Sequence, residues 1–180
     1  MPATALPMRD PAGSFSATYA EARAKFLAAA AARGWTVASH PHPSARGAEG
    51  EALAIDVATP GRADAPALLV ITSGTHGAEG FCGSGCQALL LDDEAFLGAA
   101  GAAGVDVALV HAVNPYGFSH LRRTNEDNVD LNRNFRDFSA PPARNAAYAG
   151  IHPFVVPDAW PPTPANEARI AAYVADHGPR

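Results

Sequence analysis

The stretch Ala67-Leu-Leu-Val-Ile-Thr-Ser-Gly-Thr-His-Gly-Ala-Glu-Gly80 decides the fold. Its first six residues are a continuous apolar run, the pattern of a short strand buried on both faces. A tight turn follows, rich in glycine, and then a helical stretch predicted over 81–97. A second buried strand is predicted over 105–113. Strand, helix and strand in that order make a right-handed βαβ unit with parallel strands. Upstream, a helix is predicted over 14–33, with Gly34 as its stop. Residues 35–39 and 53–58 alternate as half-buried strands do, with a loop of His, Pro, Gly and Ser between them. Downstream, residues 114–138 read as one long polar loop, dense in Arg, Asn and Asp. Leu131 and Phe135 are expected to anchor it, because a loop this long in a compact domain needs apolar contacts to be ordered. Proline dominates 141–164, and a last helix is predicted over 164–177. The predicted class is therefore α/β, built on this βαβ unit, in a single domain over 1–180.

Composition narrows the function classes. Of 180 residues, 48% are hydrophobic and 17% charged, a globular mixture with enough material for one core. The net charge of -5 supports no basic face, so nucleic acid is not an expected partner. Lys25 is the sole lysine, and a cation set made of arginine favours planar, bidentate anion contacts. Cys82 and Cys86 stand four apart in the predicted helix and read as small packing residues of a reducing compartment. No apolar segment has the length of a membrane span and none resembles a signal core, so a cytoplasmic location is expected.

Chemistry concentrates in two places. His76 and Glu79 follow the first buried strand, at the sheet end where open α/β folds place ligands. A histidine nitrogen and a glutamate oxygen suit zinc. The same Glu79 would also suit the N-terminus of the following helix through its dipole. The second place is Val129-Asp-Leu-Asn-Arg-Asn-Phe135, preceded by Arg122 and Arg123. An arginine fork beside an amide, here Arg133 with Asn132, fits a carboxylate with parallel hydrogen bonds. A metal corner beside an anion corner suggests a hydrolase for substrates with a free carboxylate. Asp130 is expected to be structural, orienting the loop or Arg133.

Three ordered motifs carry a family resemblance. Gly74-Thr-His-Gly-Ala-Glu79, Val113-Asn-Pro-Tyr-Gly-Phe118 and Val129-Asp-Leu-Asn-Arg-Asn-Phe135 resemble the zinc carboxypeptidase superfamily, including its aspartoacylase and succinylglutamate desuccinylase branch. Together they look most like a bacterial branch of unknown function within it. Tyr116 replaces the family's usual Asp in the second motif. The resemblance implies that His76 and Glu79 ligate zinc and that Asn132 and Arg133 hold the substrate carboxylate. It also implies that Arg122 or Arg123 stabilises the oxyanion, with Arg123 preferred because it lies closer to the carboxylate motif. The implied substrate is a peptide or N-acyl amino acid cleaved at an amide bond. The implied fold is an α/β one with a mixed, partly parallel sheet flanked by helices, of more strands than the four read from this sequence.

The family's third zinc ligand, a later histidine, and its general-base glutamate have no good counterparts. His111 falls in a buried strand, His120 in the arginine loop, His152 among prolines and His177 at a helix end. The chain is therefore expected to represent the N-terminal half of such an enzyme, with unpaired strand edges and no activity alone. A non-catalytic, truncated carboxylate-binding remnant is the alternative. A dinucleotide-binding protein is a further one, since Gly83-Ser-Gly-Cys-Gln-Ala88 matches Gly-x-Gly-x-x-Ala with Asp106 downstream. Those glycines, however, fall inside the helix pattern. Ser84 lacks the outer glycines of a nucleophile elbow, which argues against a serine hydrolase.

Overall fold

A computed structural model describes residues 11–62, 64–141 and 144–178. They fall into two compact units, one running to Phe135 and one starting at Arg136.

The first unit opens with a 3-10 turn, Pro11–Ser14, followed by helix α1, Tyr19–Ala32. Thr18 sets the start of α1 later than the sequence pattern suggests. Its backbone is extended and its hydroxyl accepts the Glu21 N–H at 3.2 Å, an N-cap. Tyr19, Ala22, Phe26 and Ala30 form the buried stripe of α1 at helical spacing. Gly34, at φ +70, turns the chain into the sheet.

The sheet has four strands: β1 (Thr36–Arg46), β2 (Ala52–Thr59), β3 (Ala67–Thr72) and β4 (Val105–His111). Their spatial order is β1-β2-β4-β3, with β3 parallel to β4 and the other pairs antiparallel. The architecture is thus the expected mixed, partly parallel α/β sheet with flanking helices. Strand β1 runs well past the predicted end, through Pro41 and Pro43 to Arg46. Its edge position tolerates prolines, which cannot donate to a ladder, and its register breaks between Pro41 and Arg46.

The connection from β3 to β4 contains two helices where one was predicted. Helix α2 (Gly80–Asp92) ends at Asp93, whose backbone is extended. The Asp93 carboxylate accepts the Phe96 N–H at 2.9 Å and starts helix α3 (Glu94–Ala102). Phe26 and Ala30 of α1 and Leu91 of α2 pack on Ala58, Val107 and Leu109 of the sheet, forming the main core.

Strand β3 corrects a prediction. Leu68 and Val70 are 61% and 51% exposed, so the strand is not buried on both faces. It is the last strand of the sheet, and its neighbour β4 covers only one of its edges. Leu69 and Ile71 pair in register with Val107 and Leu109, which lie in the helix-covered core, whereas Leu68 and Val70 alternate to the other face.

A polar seam runs inside this unit. Asp56 of β2 accepts from Arg23 Nε and Nη2 at 2.7 and 3.0 Å and from Ser39 at 2.5 Å. His111, its cross-strand neighbour, is fully buried, stacked on Phe26 at 4.7 Å and hydrogen-bonded to Ser84 at 2.9 Å.

A short helix, α4 (Pro115–Ser119), follows β4, and the second unit contains helices α5 (Ala146–Val155) and α6 (Pro164–His177). The last helix lies where the sequence predicts it. Helix α5 falls in the proline-rich stretch, where the sequence predicts none. Asn145 caps it by accepting the Tyr148 N–H at 3.0 Å. Phe154 of α5 meets Tyr173 of α6 at 5.1 Å. Among the described residues, no helix is long and apolar enough to cross a membrane.

Candidate functional site

Strands β3 and β4 are parallel neighbours, so the loops at their C-terminal ends emerge side by side. Backbone pairing continues beyond the strands. Val113 N–H donates to the Ser73 carbonyl at 2.9 Å, and Asn114 N–H to that of Gly74 at 2.8 Å. A five-residue helix, α4 (Pro115–Ser119), follows; Asn114 caps it by accepting the Gly117 N–H at 2.8 Å. The Asn114 amide also donates to the Thr75 carbonyl at 3.4 Å, tying α4 to the histidine loop.

The two loops then interlock through glycine. Gly77 N–H donates to the Arg122 carbonyl, and Arg122 N–H to that of Gly117, both at 2.8 Å. A Cβ on Gly77 would lie 2.2 Å from the Gly117 oxygen and 2.4 Å from that of Arg122. Only glycine allows this approach.

His76 sits in the resulting notch, buried to 8% exposure. Its Nδ1 is 3.1 Å from Glu79 Oε2, and its Nε2 is 3.1 Å from Asp130 Oδ1. The other Asp130 oxygen accepts from Arg123 Nε at 2.8 Å. Oδ1 also accepts the Asn132 N–H at 3.0 Å and so caps the 3-10 turn Leu131–Arg133. Desolvation pushes the Asp130 carboxyl upward, but the hydrogen bonds from His76 and Arg123 outweigh it and hold it below the ordinary carboxylate range. Asp130 thus holds the loop turn and contacts His76 and Arg123, whereas the expected contact with Arg133 is not made.

Glu79 is exposed and makes no side-chain hydrogen bond to the start of α2. It occupies the N-cap position of α2, where its charge suits the helix dipole, without a capping hydrogen bond. It faces the His76 ring instead.

The arginines separate. Arg123 belongs to the His76 cluster through Asp130. Arg122 turns toward its own loop, donating to Asn128 at 3.2 Å and lying 5.8 Å from the Tyr116 ring centroid. Asn132 and Arg133 stand exposed at the rim, with Arg133 Nη1 reaching the Asn132 carbonyl at 3.3 Å. Phe135 is 88% exposed and anchors nothing in the loop, contrary to expectation. Order comes from polar turns. Asn125 accepts the Val129 N–H at 2.8 Å, and Asp130 does the rest.

The remaining histidines stay apart from this cluster. His111 is in the core, while His120 reaches the Arg46 carbonyl at 3.0 Å and stacks on Tyr116 at 4.2 Å. His152 pairs with Tyr148, and His177 with the Tyr173 carbonyl. Among the described residues, no three His, Cys, Asp or Glu side chains converge as a metal site. Gly83 and Gly85 lie within α2, packed on Ser73 and Phe15, and not in the turn itself, where a dinucleotide fingerprint places its glycines. Cys82 and Cys86 are exposed on α2, which corrects their reading as packing residues.

The family described as "Protein of unknown function (DUF2817)" matches residues 15–180. The chain belongs to this family. No curated protein matches it. Every residue of the cluster lies inside the matched DUF2817 span. In this DUF2817 chain, sequence reading missed the contact of Asp130 with His76. A signal for it existed, since Asp130 belongs to the motif of the loop that neighbours His76. The close approach at residue 77 is marked by the residue type itself, glycine.

Proposed function

We propose that this chain carries the metal-ligating and carboxylate-recognising part of a zinc-dependent hydrolase of the carboxypeptidase-like superfamily. Its substrates would be peptides or N-acyl amino acids with a free carboxylate. The observation that carries the reading is His76 held between Glu79 on one ring nitrogen and Asp130 on the other. A carboxylate behind a histidine is the usual outer partner of a metal-ligating imidazole.

The donor set fits part of a zinc site. With Nε2–H directed at Asp130, Nδ1 is the nitrogen that would join Glu79 Oε2 in holding the metal. These two are the ligands assigned to this chain; a third donor is not among the described residues. When bound, zinc would supply Lewis-acid polarisation of the scissile carbonyl and a water of lowered pKa. Asp130 keeps His76 in the ligating tautomer. Arg123, half-exposed beside it, is placed to face negative charge developing on the carbonyl oxygen. Asn132 and Arg133 would take the substrate carboxylate, with the rigid 3-10 turn fixing their spacing.

The test compares an N-acetyl amino acid with its amide, in binding to the zinc-loaded chain and in hydrolysis. The acid should bind at least about tenfold more tightly, as expected for a charge-assisted pair, and Arg133→Ala should erase that preference. Equal binding of acid and amide would overturn the carboxylate assignment. Preferential binding without hydrolysis would favour the carboxylate-binding remnant.

A further inference from the structure

Helix α2 has two faces. Gly80, Ser84, Gln87, Ala88 and Leu91 are buried at helical spacing against the rest of the unit. Gly83 abuts Ser73, and Gly85 abuts Phe15. Cys82 and Cys86 fall between these positions, so both thiols point outward and are exposed. Residues four apart on a helix are direct neighbours, with Cβ atoms about 5–6 Å apart. Local desolvation, and then the neighbouring Cys82, push the Cys86 thiol up.

This spacing selects the chemistry. A disulfide requires Cβ atoms about 3.5–4.5 Å apart, closer than one helical turn permits. An atom inserted between the sulfurs removes that conflict. Among the described residues, no third donor converges with the pair, which leaves centres satisfied by two soft ligands.

We infer that Cys82 and Cys86 form an exposed dithiol site for a soft, thiophilic centre that takes two sulfurs, of the trivalent-arsenic class. With phenylarsine oxide, two As–S bonds form and the As–O bond breaks. The two thiol protons leave with that oxygen as one water, and arsenic remains trivalent, so no oxidant or reductant is needed. The site stands on a different face of α2 from the buried stripe and does not depend on the zinc reading.

Titration of the full chain with phenylarsine oxide tests it, with reactive thiols counted by a chromogenic disulfide reagent. One equivalent should mask both thiols. Cys82→Ser and Cys86→Ser should each weaken binding on the order of 100-fold, the loss expected when a second linked contact is removed. An added small dithiol should restore both thiols, while the same concentration of a monothiol should not. One thiol left reactive at one equivalent would overturn the proposal, as would a single-Ser variant binding as tightly as the parent. If a variant fails to fold, the stoichiometry of the parent chain decides alone.

Discussion

Asp130 touches His76, Arg123 and the Asn132 backbone with two oxygens, so one carboxylate sets the ring plane, the arginine and the loop together. Asp130→Asn keeps the shape and removes the charge. It should lower zinc affinity by about 10–100-fold, the usual effect of losing the outer partner of a ligating histidine. Zinc titration against a competing chelator measures this; an unchanged affinity would mean that Asp130 only caps the loop. The motif letters single out Asp130 and its neighbours Asn132 and Arg133. They did not reveal its partner, because a contact across fifty-four positions depends on how two loops meet.

At the scale of elements, the site depends on the histidine loop and the α4 loop lying backbone to backbone. Gly77→Ala would drive a methyl group to within 2.2–2.6 Å of Gly117 and Arg122 backbone atoms, which no rotamer relieves. The loops must part, at a cost of about 1–3 kcal/mol. Both the urea midpoint and zinc affinity should fall. Gly98→Ala is the contrast. Nothing lies within 4 Å of its would-be Cβ in α3, so it should stabilise the protein by about 0.5–1 kcal/mol. A neutral Gly77→Ala would show that the loops tolerate separation.

The elements themselves were largely legible. The βαβ unit followed from two apolar runs and the helical pattern between them. The helix break at Asp93 was not read, because a lone aspartate inside an apolar pattern caps a helix only when its backbone extends. Strand β1 was read short because prolines suggest a loop until the strand is known to lie at an edge.

The polar seam across β2 and β4 lies inside the core of the first unit, and its buried histidine makes stability depend on pH. Burial opposes protonation of His111 and outweighs the attraction of Asp56, lowering its value from 6.5 to about 4. An unfolded chain takes up this proton near the ordinary value; the folded one does not until near the lower value. The unfolded state therefore binds more protons across that window. Stability is fully present above about pH 6.5 and falls by roughly 3 kcal/mol as pH drops through about 4. Urea midpoints across this range should show the loss, and His111→Gln should flatten it. A parent chain whose midpoint holds constant from neutral pH to about 4 would contradict the buried, neutral assignment.

The global arrangement was the least legible part. An apolar run such as Ala67–Thr72 reports that a strand is apolar, not how many layers cover it. Leu68 and Val70 of this strand are exposed on one face of the sheet. The anion corner shows the same limit. Arg133 and Asn132 were identified by type and spacing, yet their exposure depends on what stands beside the loop.

The most direct test of zinc ligation by this chain is the ring-nitrogen NMR spectrum of His76 during zinc titration, in the parent and in Glu79→Gln. Zinc should shift Nδ1 as a ligand while Nε2 keeps its hydrogen toward Asp130, and Glu79→Gln should weaken the response. Ligation through Nε2, or a zinc response at other histidines with His76 unmoved, would contradict the assignment.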